Sequence, residues 1–250
     1  MTMGNSDTKV ALVTGGAQRI GARLCRVLHE AGYDIALHYR SSGVVAEALA
    51  ADLNVHRGRS VTCFQAALGD RSAGEELATA VIDHLGRVDL LVNNASSFYP
   101  TPIGSVGEED WDTIVGSNLK GPFFLSQALA DALRQTRGSI VNLIDIHGER
   151  PLAEHSLYST AKAGLAMLTR SLARELAPLV RVNGVSPGVI LWPQSDEAED
   201  EGRRQRQLQR IPLGVQGNPQ DIAEAALFLA ERAPYVTGQI IAVDGGRSLT

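Results

Sequence analysis

Val10-Ala11-Leu12-Val13-Thr14-Gly15-Gly16-Ala17-Gln18-Arg19-Ile20-Gly21 joins a short apolar run to a glycine turn, and a helical pattern then runs to about Ala31. A short apolar run bounded by a turn reads as a buried strand. Glycines let the backbone approach a pyrophosphate closely, and the N-terminus of the following helix offers free N–H groups and a positive dipole end. Strand, glycine turn and helix in that order open a βαβ unit built to hold a dinucleotide. Gly15, Arg19, Ile20 and Gly21 are the candidate contacts in that turn.

The same unit recurs along the chain. Gly32–His38 reads as a second strand, Val44–Val55 as a helix, Ser60–Gln65 as a strand, Ala73–Leu85 as a helix and Val88–Val92 as a fourth strand. A long helical region follows from Glu108 to about Arg134, with an interruption expected at Gly121-Pro122. Gly138–Ile144 is the fifth strand, and the helix after it carries Leu165, Leu168, Leu172 and Leu176 on one face. Val180–Val185, the helix Pro219–Ala230 and the strand Gln239–Val243 complete the pattern. Strands alternating with helices predict an α/β fold, a parallel sheet covered on both faces. Residues 9–250 are expected to form one Rossmann-type, doubly wound domain behind a disordered tail at 1–8.

Composition narrows the class. The chain has 250 residues, 44% hydrophobic and 20% charged, ample for a buried core. A net charge of −5 argues against a nucleic-acid or anionic-membrane partner. Cys25 and Cys63 lie in separate elements without CxxC spacing, so a reduced, cytoplasmic chain is expected. The opening MTMGNSDTK lacks an apolar targeting core, and no run nears the ~18 apolar residues of a membrane span. No metal site is expected.

The chemistry-bearing residues sit at the carboxyl ends of the strands, where open α/β sheets bind ligands. After the second strand come His38-Tyr39-Arg40-Ser41-Ser42, with no acid to hold a ribose 2′-hydroxyl. A planar guanidinium and hydroxyls suit a 2′-phosphate, so NADP(H) is preferred over NAD(H), unless Arg40 is merely a solvated loop residue. After the fourth strand, Asn94-Ala95-Ser96 suit a tight loop against a cofactor. Phe98 and Tyr99 either offer a ring for a flat ligand to stack on or cap the core. Asn118 is a poor helix former in mid-helix, which points to a specific hydrogen-bonding task.

Tyr158 and Lys162 lie four residues apart on the helix after the fifth strand, so both project from one face. An ammonium beside a phenol would lower the phenol's pKa from its usual ~10. Asp145 closes the fifth strand as a candidate acid, or pairs with Arg150. The charged segment 194–210 reads as a solvated helix or loop, and its position makes it a candidate mobile lid over the substrate.

Together these residues resemble the short-chain dehydrogenase/reductase family from about Lys9 onward. Thr14-Gly15 to Gly21, Asn93-Asn94-Ala95, Asn118, Tyr158 with Lys162, Pro187-Gly188 and Asp244-Gly245-Gly246 fall in the family's order and spacing. The resemblance implies a seven-stranded sheet, usually in a homotetramer, and a catalytic set of Asn118, Tyr158 and Lys162. Two departures are informative. Arg19 stands where the family has the middle glycine, and Asp145 stands where it has a serine, thirteen residues before Tyr158. With Ser96-Ser97-Phe98-Tyr99-Pro100 and His38-Tyr39-Arg40-Ser41, they resemble the pteridine reductase branch.

That branch implies a pterin sandwiched between Phe98 and a nicotinamide, with Arg19 and Ser96 holding the pterin and the cofactor phosphates. Ala67 replaces the acid usual after the third strand, which leaves backbone contact at Leu68 for the adenine. The expected reaction is NADPH-dependent reduction of a pterin or folate C=N bond. An ionised carboxylate would repel the oxyanion of a ketone reduction, whereas a carboxylic acid can protonate a ring nitrogen. A carbonyl reductase with Asp145 as bystander, and a non-catalytic NADP(H) sensor, are the competing readings.

Overall fold

The computed structural model describes residues 8–191 and 201–250. Seven strands are β1 (Val10–Val13), β2 (Asp34–Tyr39), β3 (Val61–Gln65), β4 (Leu90–Asn93), β5 (Ser139–Leu143), β6 (Arg181–Pro187) and β7 (Ile240–Val243). They form one sheet in the order β3-β2-β1-β4-β5-β6-β7, and every neighbouring pair is parallel. The order reverses direction between β1 and β4, which opens a crevice at the carboxyl edge. The helices are α1 (Arg19–Glu30), α2 (Gly43–His56), α3 (Arg71–Leu85), α4 (Glu108–Val115), α5 (Gly121–Ala128), α6 (Ala130–Thr136), α7 (Ser156–Leu176), α8 (Glu201–Leu208) and α9 (Pro219–Leu227).

Strand alternation divides the core between the two faces. Ala11, Val13, Ile35, Leu37, Leu90 and Val92 point toward α1, α2 and α9, while Leu12, Ala36 and Leu91 point toward α3, α5 and α7. Both sets are fully buried, which is why these strands read as unbroken apolar runs. Each such Leu, Ile or Val contributes ~1.5–3 kcal/mol by leaving water. Helix ends follow local chemistry. Asp70 accepts from Ala73 N at 2.9 Å to start α3, and Gly86 ends it in the left-handed conformation. At α9, Asn218 accepts from Gln220 N while Asp221 accepts from Asn218 N, with Pro219 in the first turn.

The long helical region departs from expectation. Its irregularity is a π turn over Gly116–Lys120, not a break at Gly121-Pro122. Pro122 lies in the first turn of α5, directly after the widened turn has already opened the i→i−4 ladder, so its missing N–H interrupts nothing further. The last helix also ends earlier than Ala230 and passes into a π turn at Phe228–Arg232. Of the segment 194–210, residues 194–200 lie outside the described residues, as does most of the 1–8 tail; α8 accounts for Glu201–Leu208. Among the described residues, no helix is long and apolar enough to cross a membrane, and no cluster of His, Cys, Asp or Glu could hold a metal.

A polar chain runs through this core. Asn93 Nδ2 donates to Asn142 Oδ1 at 2.8 Å, Asn142 Nδ2 donates to Thr169 Oγ1 at 2.8 Å, and Thr169 donates to Leu165 O at 2.8 Å. All three residues are buried. Replacing Asn142 with Ala leaves the Asn93 amide only its longer 3.3 Å bond to Ser126 Oγ and removes a donor from Thr169. The expected loss is about 2–3 kcal/mol, read as a lower urea midpoint at unchanged slope.

Candidate active site

The glycine turn is laced to the β4 loop. Thr14 Oγ1 accepts from Asn94 N at 2.9 Å and Ala95 N at 3.0 Å, and Asn94 Nδ2 donates to Thr14 O and Gly15 O. Gly15 has φ +62°, and a Cβ on Gly21 would sit 2.0 Å from Gly15 O, so neither position takes a side chain without moving the turn. Arg19 has φ +53° in the place of a glycine, and its guanidinium reaches Leu191 O at 3.4 Å. That left-handed backbone costs ~1–2 kcal/mol for a non-glycine residue, so the side chain is held there at the expense of strain.

A cleft of about 520 Å³ opens along this turn. Gly15, Arg19, Ile20 and Gly21 form one wall, and His38, Tyr39, Arg40 and Ser41 continue it from the end of β2. Leu68, Asn94, Ala95, Ser96 and Phe98 line the rest. Gln18 Nε2 donates to Ser42 Oγ at 3.2 Å, tying the two loops that flank Arg40. His38 is buried beneath the turn, where Nδ1 accepts from Gly15 N at 3.1 Å and Nε2 lies 3.1 Å from Ala66 O. A carbonyl only accepts, so the ring is the neutral Nε2–H tautomer, and burial pushes its pKa down to about 4.

The second half of the site lies where β4, β5 and α7 meet. Tyr158 donates from its hydroxyl to Asp145 Oδ2 at 2.8 Å, and Asp145 Oδ1 accepts from His147 N at 2.9 Å. Lys162 is buried and donates from Nζ to Leu143 O at 2.8 Å, with Nζ 5.6 Å from the Tyr158 ring centroid. Asn118, wholly buried in the π turn, donates to Ser97 O at 2.9 Å and Ile114 O at 3.0 Å, and accepts from Ser96 Oγ at 2.8 Å. Its hydrogen-bonding task is thus to hold the β4 loop. The ring of Phe98 meets that of Tyr158 edge to face at 4.8 Å, which joins the cleft to the Tyr158–Asp145 pair.

Several expectations change. The Tyr158 phenol is not lowered. Burial first, then the charge of Asp145 and the hydrogen bond to it, raise its pKa well above the ordinary value, with Ser96 acting weakly the other way. Lys162, also buried, falls to about 8, with Asp145 opposing the fall. Asp145 does not pair with Arg150, whose Nη1 instead lies 3.3 Å from Thr250 O. The two neighbouring aromatics separate: Phe98 faces the cleft, 49% exposed, while Tyr99 packs on Ile114, Leu157 and Tyr158. Pro187 and Gly188 sit at the end of β6, apart from the residues lining the cleft, with Gly188 packed so closely on Asp244 that a Cβ would lie 2.7 Å from its Cα.

Two residues, Ser117 and His155, were not foreseen, and Thr14 was named only as part of the glycine motif. Thr14 and Ser117 bond the β4 loop, Ser117 through its Oγ to Ser97 N at 3.2 Å. His155 stacks on Phe98 with ring centroids 4.6 Å apart and planes 19° apart. Its place three residues before Tyr158, at the cap of the helix that carries it, was the available signal.

A glycine turn at the switch point of a parallel doubly wound sheet, with a Tyr and Lys on α7 beside the cleft, defines a nucleotide-dependent oxidoreductase of the single-domain Rossmann type. A family model described as enoyl-(acyl carrier protein) reductase matches residues 15–248. The chain is 38% identical to "Pteridine reductase 1" of Leishmania tarentolae, over 96% of each. It is 37% identical to the 3-oxoacyl-[acyl-carrier-protein] reductase FabG of Staphylococcus aureus and 34% identical to that of Thermotoga maritima, over 96% of this chain and 98% of each relative. The chain belongs to the short-chain dehydrogenase/reductase family and is an oxidoreductase.

Buried His38 carries a pH dependence. Its folded pKa of about 4 lies below the unfolded 6.5, so the unfolded chain binds the extra proton first as pH falls. The contribution is complete above pH 6.5 and is lost progressively down to pH 4. Between pH 7 and 5 the His38 share is about 2 kcal/mol. Urea titrations at the two pH values should show a smaller drop for His38→Asn, which keeps an acceptor for Gly15 N but does not titrate.

Proposed function

We propose that this protein is an NADPH-dependent pteridine reductase, bringing pterins, dihydropterins or dihydrofolate to the tetrahydro level. The observation that carries the proposal is the 2.8 Å hydrogen bond from Tyr158 to Asp145, with Phe98 against the same tyrosine. A carboxyl group stands where a ketone reductase would want a neutral donor to a developing oxyanion. Next to it, a half-exposed ring offers a surface for a flat heterocycle.

The residues lining the cleft fit the cofactor. Gly15, Ile20 and Gly21 admit a pyrophosphate, Arg19 and Ser96 reach the phosphates and pterin, and His38-Tyr39-Arg40-Ser41 present a guanidinium and hydroxyl to a 2′-phosphate. Leu68, Asn94 and Ala95 back the adenosine and ribose, and Pro187-Gly188, at the end of β6 and outside that lining, would meet a nicotinamide that extends past it. Bound NADPH supplies the hydride, to C7 or C6 of the pterin. Reduction leaves the ring nitrogen needing a proton. Tyr158, kept protonated by burial and by Asp145, is a donor rather than a phenolate at neutral pH, which suits the reducing direction. Each reduced C=N bond takes one hydride and one proton, so Asp145, one hydrogen bond behind Tyr158, takes a proton up from water and returns it to the phenolate that the transfer leaves. Lys162 holds the Leu143 carbonyl and would hold the ribose of the bound cofactor, and Asn118 fixes Ser96 beside Tyr158.

The protein works as a homotetramer in the reducing cytoplasm. Exposed Trp111, Phe123 and Met167 on the α4, α5 and α7 faces, and two free cysteines, support this. A second reading, an NADPH-dependent reductase of open-chain carbonyls, draws on the 37% identity to a 3-oxoacyl reductase.

Steady-state assays with NADPH against dihydrobiopterin, dihydrofolate and acetoacetyl-CoA separate the two. Dihydropterin turnover by the wild type is expected, and Asp145→Ser should lower it by roughly 10²–10³-fold while NADPH still binds. Undiminished turnover in Asp145→Ser would remove the acid from the reaction; thioester turnover without pterin turnover would favour the second reading.

A further inference from the structure

Phe98 stands on residues 96–100, which have no regular secondary structure of their own. Its ring direction therefore has to come from its neighbours. Tyr158 meets it steeply, at 75°. His155 lies nearly parallel to it, at 19° and 4.6 Å, and covers one face.

His155 is itself firmly held. It is buried, and its Nδ1 lies 2.8 Å from Ala153 O, so that nitrogen carries the proton and the ring cannot turn. Its carbonyl accepts from Ser159 N at 2.9 Å at the start of α7. Thr101 N donates to Glu154 O at 2.6 Å, and Thr101 pairs with His155 in an isolated parallel bridge. These bonds clip the far end of the Phe98 loop to the helix that carries Tyr158 and Lys162.

Resting on the pterin reading, we infer that His155 is a positioning residue for substrate selection. It fixes the angle of Phe98 so that the ring's exposed surface is ready for a flat heterocycle before the ligand arrives. A planar ring gains from a stationary partner, because no rotamer has to be frozen on binding. A flexible open chain gains little from the same contact. His155 is not among the residues lining the cofactor cleft; it acts through Phe98, which is.

Two substitutions separate the ring from the hydrogen bond. His155→Asn keeps a donor for Ala153 O without the imidazole ring, and His155→Phe keeps a ring without the donor. With NADPH and dihydrobiopterin, His155→Asn should raise KM by roughly fivefold to tenfold, the size of one aromatic contact, with a much smaller effect on kcat. His155→Phe should restore KM to within about twofold of wild type. Adding His155→Asn to Phe98→Leu should cost nothing beyond Phe98→Leu alone, because the partner is already gone.

The reverse ranking, with Asn tolerated and Phe impaired, would reduce His155 to a structural hydrogen bond. Losses that multiply in the double variant would equally overturn the inference. A wild type that reduces acetoacetyl-CoA but no dihydropterin would sink the pterin reading and this inference together. Pterin turnover with an unmoved KM in His155→Asn would sink the inference alone.

Discussion

The buried chain of hydrogen bonds from Asn93 through Asn142 to Thr169 underlies the whole site. Asn93 ends β4 immediately before the loop of Ser96 and Phe98. Asn142 lies on β5, three residues before Asp145, and Thr169 lies on α7, two turns after Lys162. The three elements that deliver the site's side chains are therefore joined by directional bonds directly beneath it. Apolar packing alone would hold them together but would tolerate small slides; a chain of buried amides does not, because any slide leaves a polar group unpaired. Placement to a few tenths of an ångström, as between Tyr158 and Asp145, needs that kind of foundation.

Burial dominates the electrostatics above it. Tyr158 is raised and Lys162 lowered, each chiefly because its charged form has left water, and Asp145 then adds to the first effect and opposes the second. In the proposed reaction this favours donors over bases: the phenol stays protonated and waits for a nitrogen that gains electron density. His38 shows the same physics in a different role, a neutral imidazole that bonds the glycine turn from below.

Much of this was legible from residue order. The seven strands, the helices between them and the glycine turn all follow from short apolar runs, helical periodicity and turn residues, whereas the doubly wound arrangement came with the family resemblance and the strand order from the structure. The family's motifs located Asn118, Tyr158 and Lys162. What was hidden depended on depth. Spacing put Lys162 near Tyr158 but could not say that both would be dry, so the phenol's shift was read with the wrong sign. Asn93 and Asn142 are opposite each other only once β4 and β5 pair, and His155 meets Phe98 only because Thr101 joins the loop to Glu154. The π turn at Gly116–Lys120 was misplaced onto Pro122 because proline is the more visible irregularity.

That π turn has a geometric consequence of its own. One surplus residue in a helical turn shifts the angular phase of everything after it by about 100°, the rotation of one residue. Upstream of it, α4 turns Ile114 into the patch shared with Tyr99 and Tyr158; downstream, α5 turns Leu125 against Gly74 of α3, whose absent Cβ would come within 3.2 Å of Leu125 N. A single straight helix could not satisfy both docking faces. The bulge acts as a phase coupling between them, so the length of this segment is constrained to the residue even where its composition is free to drift.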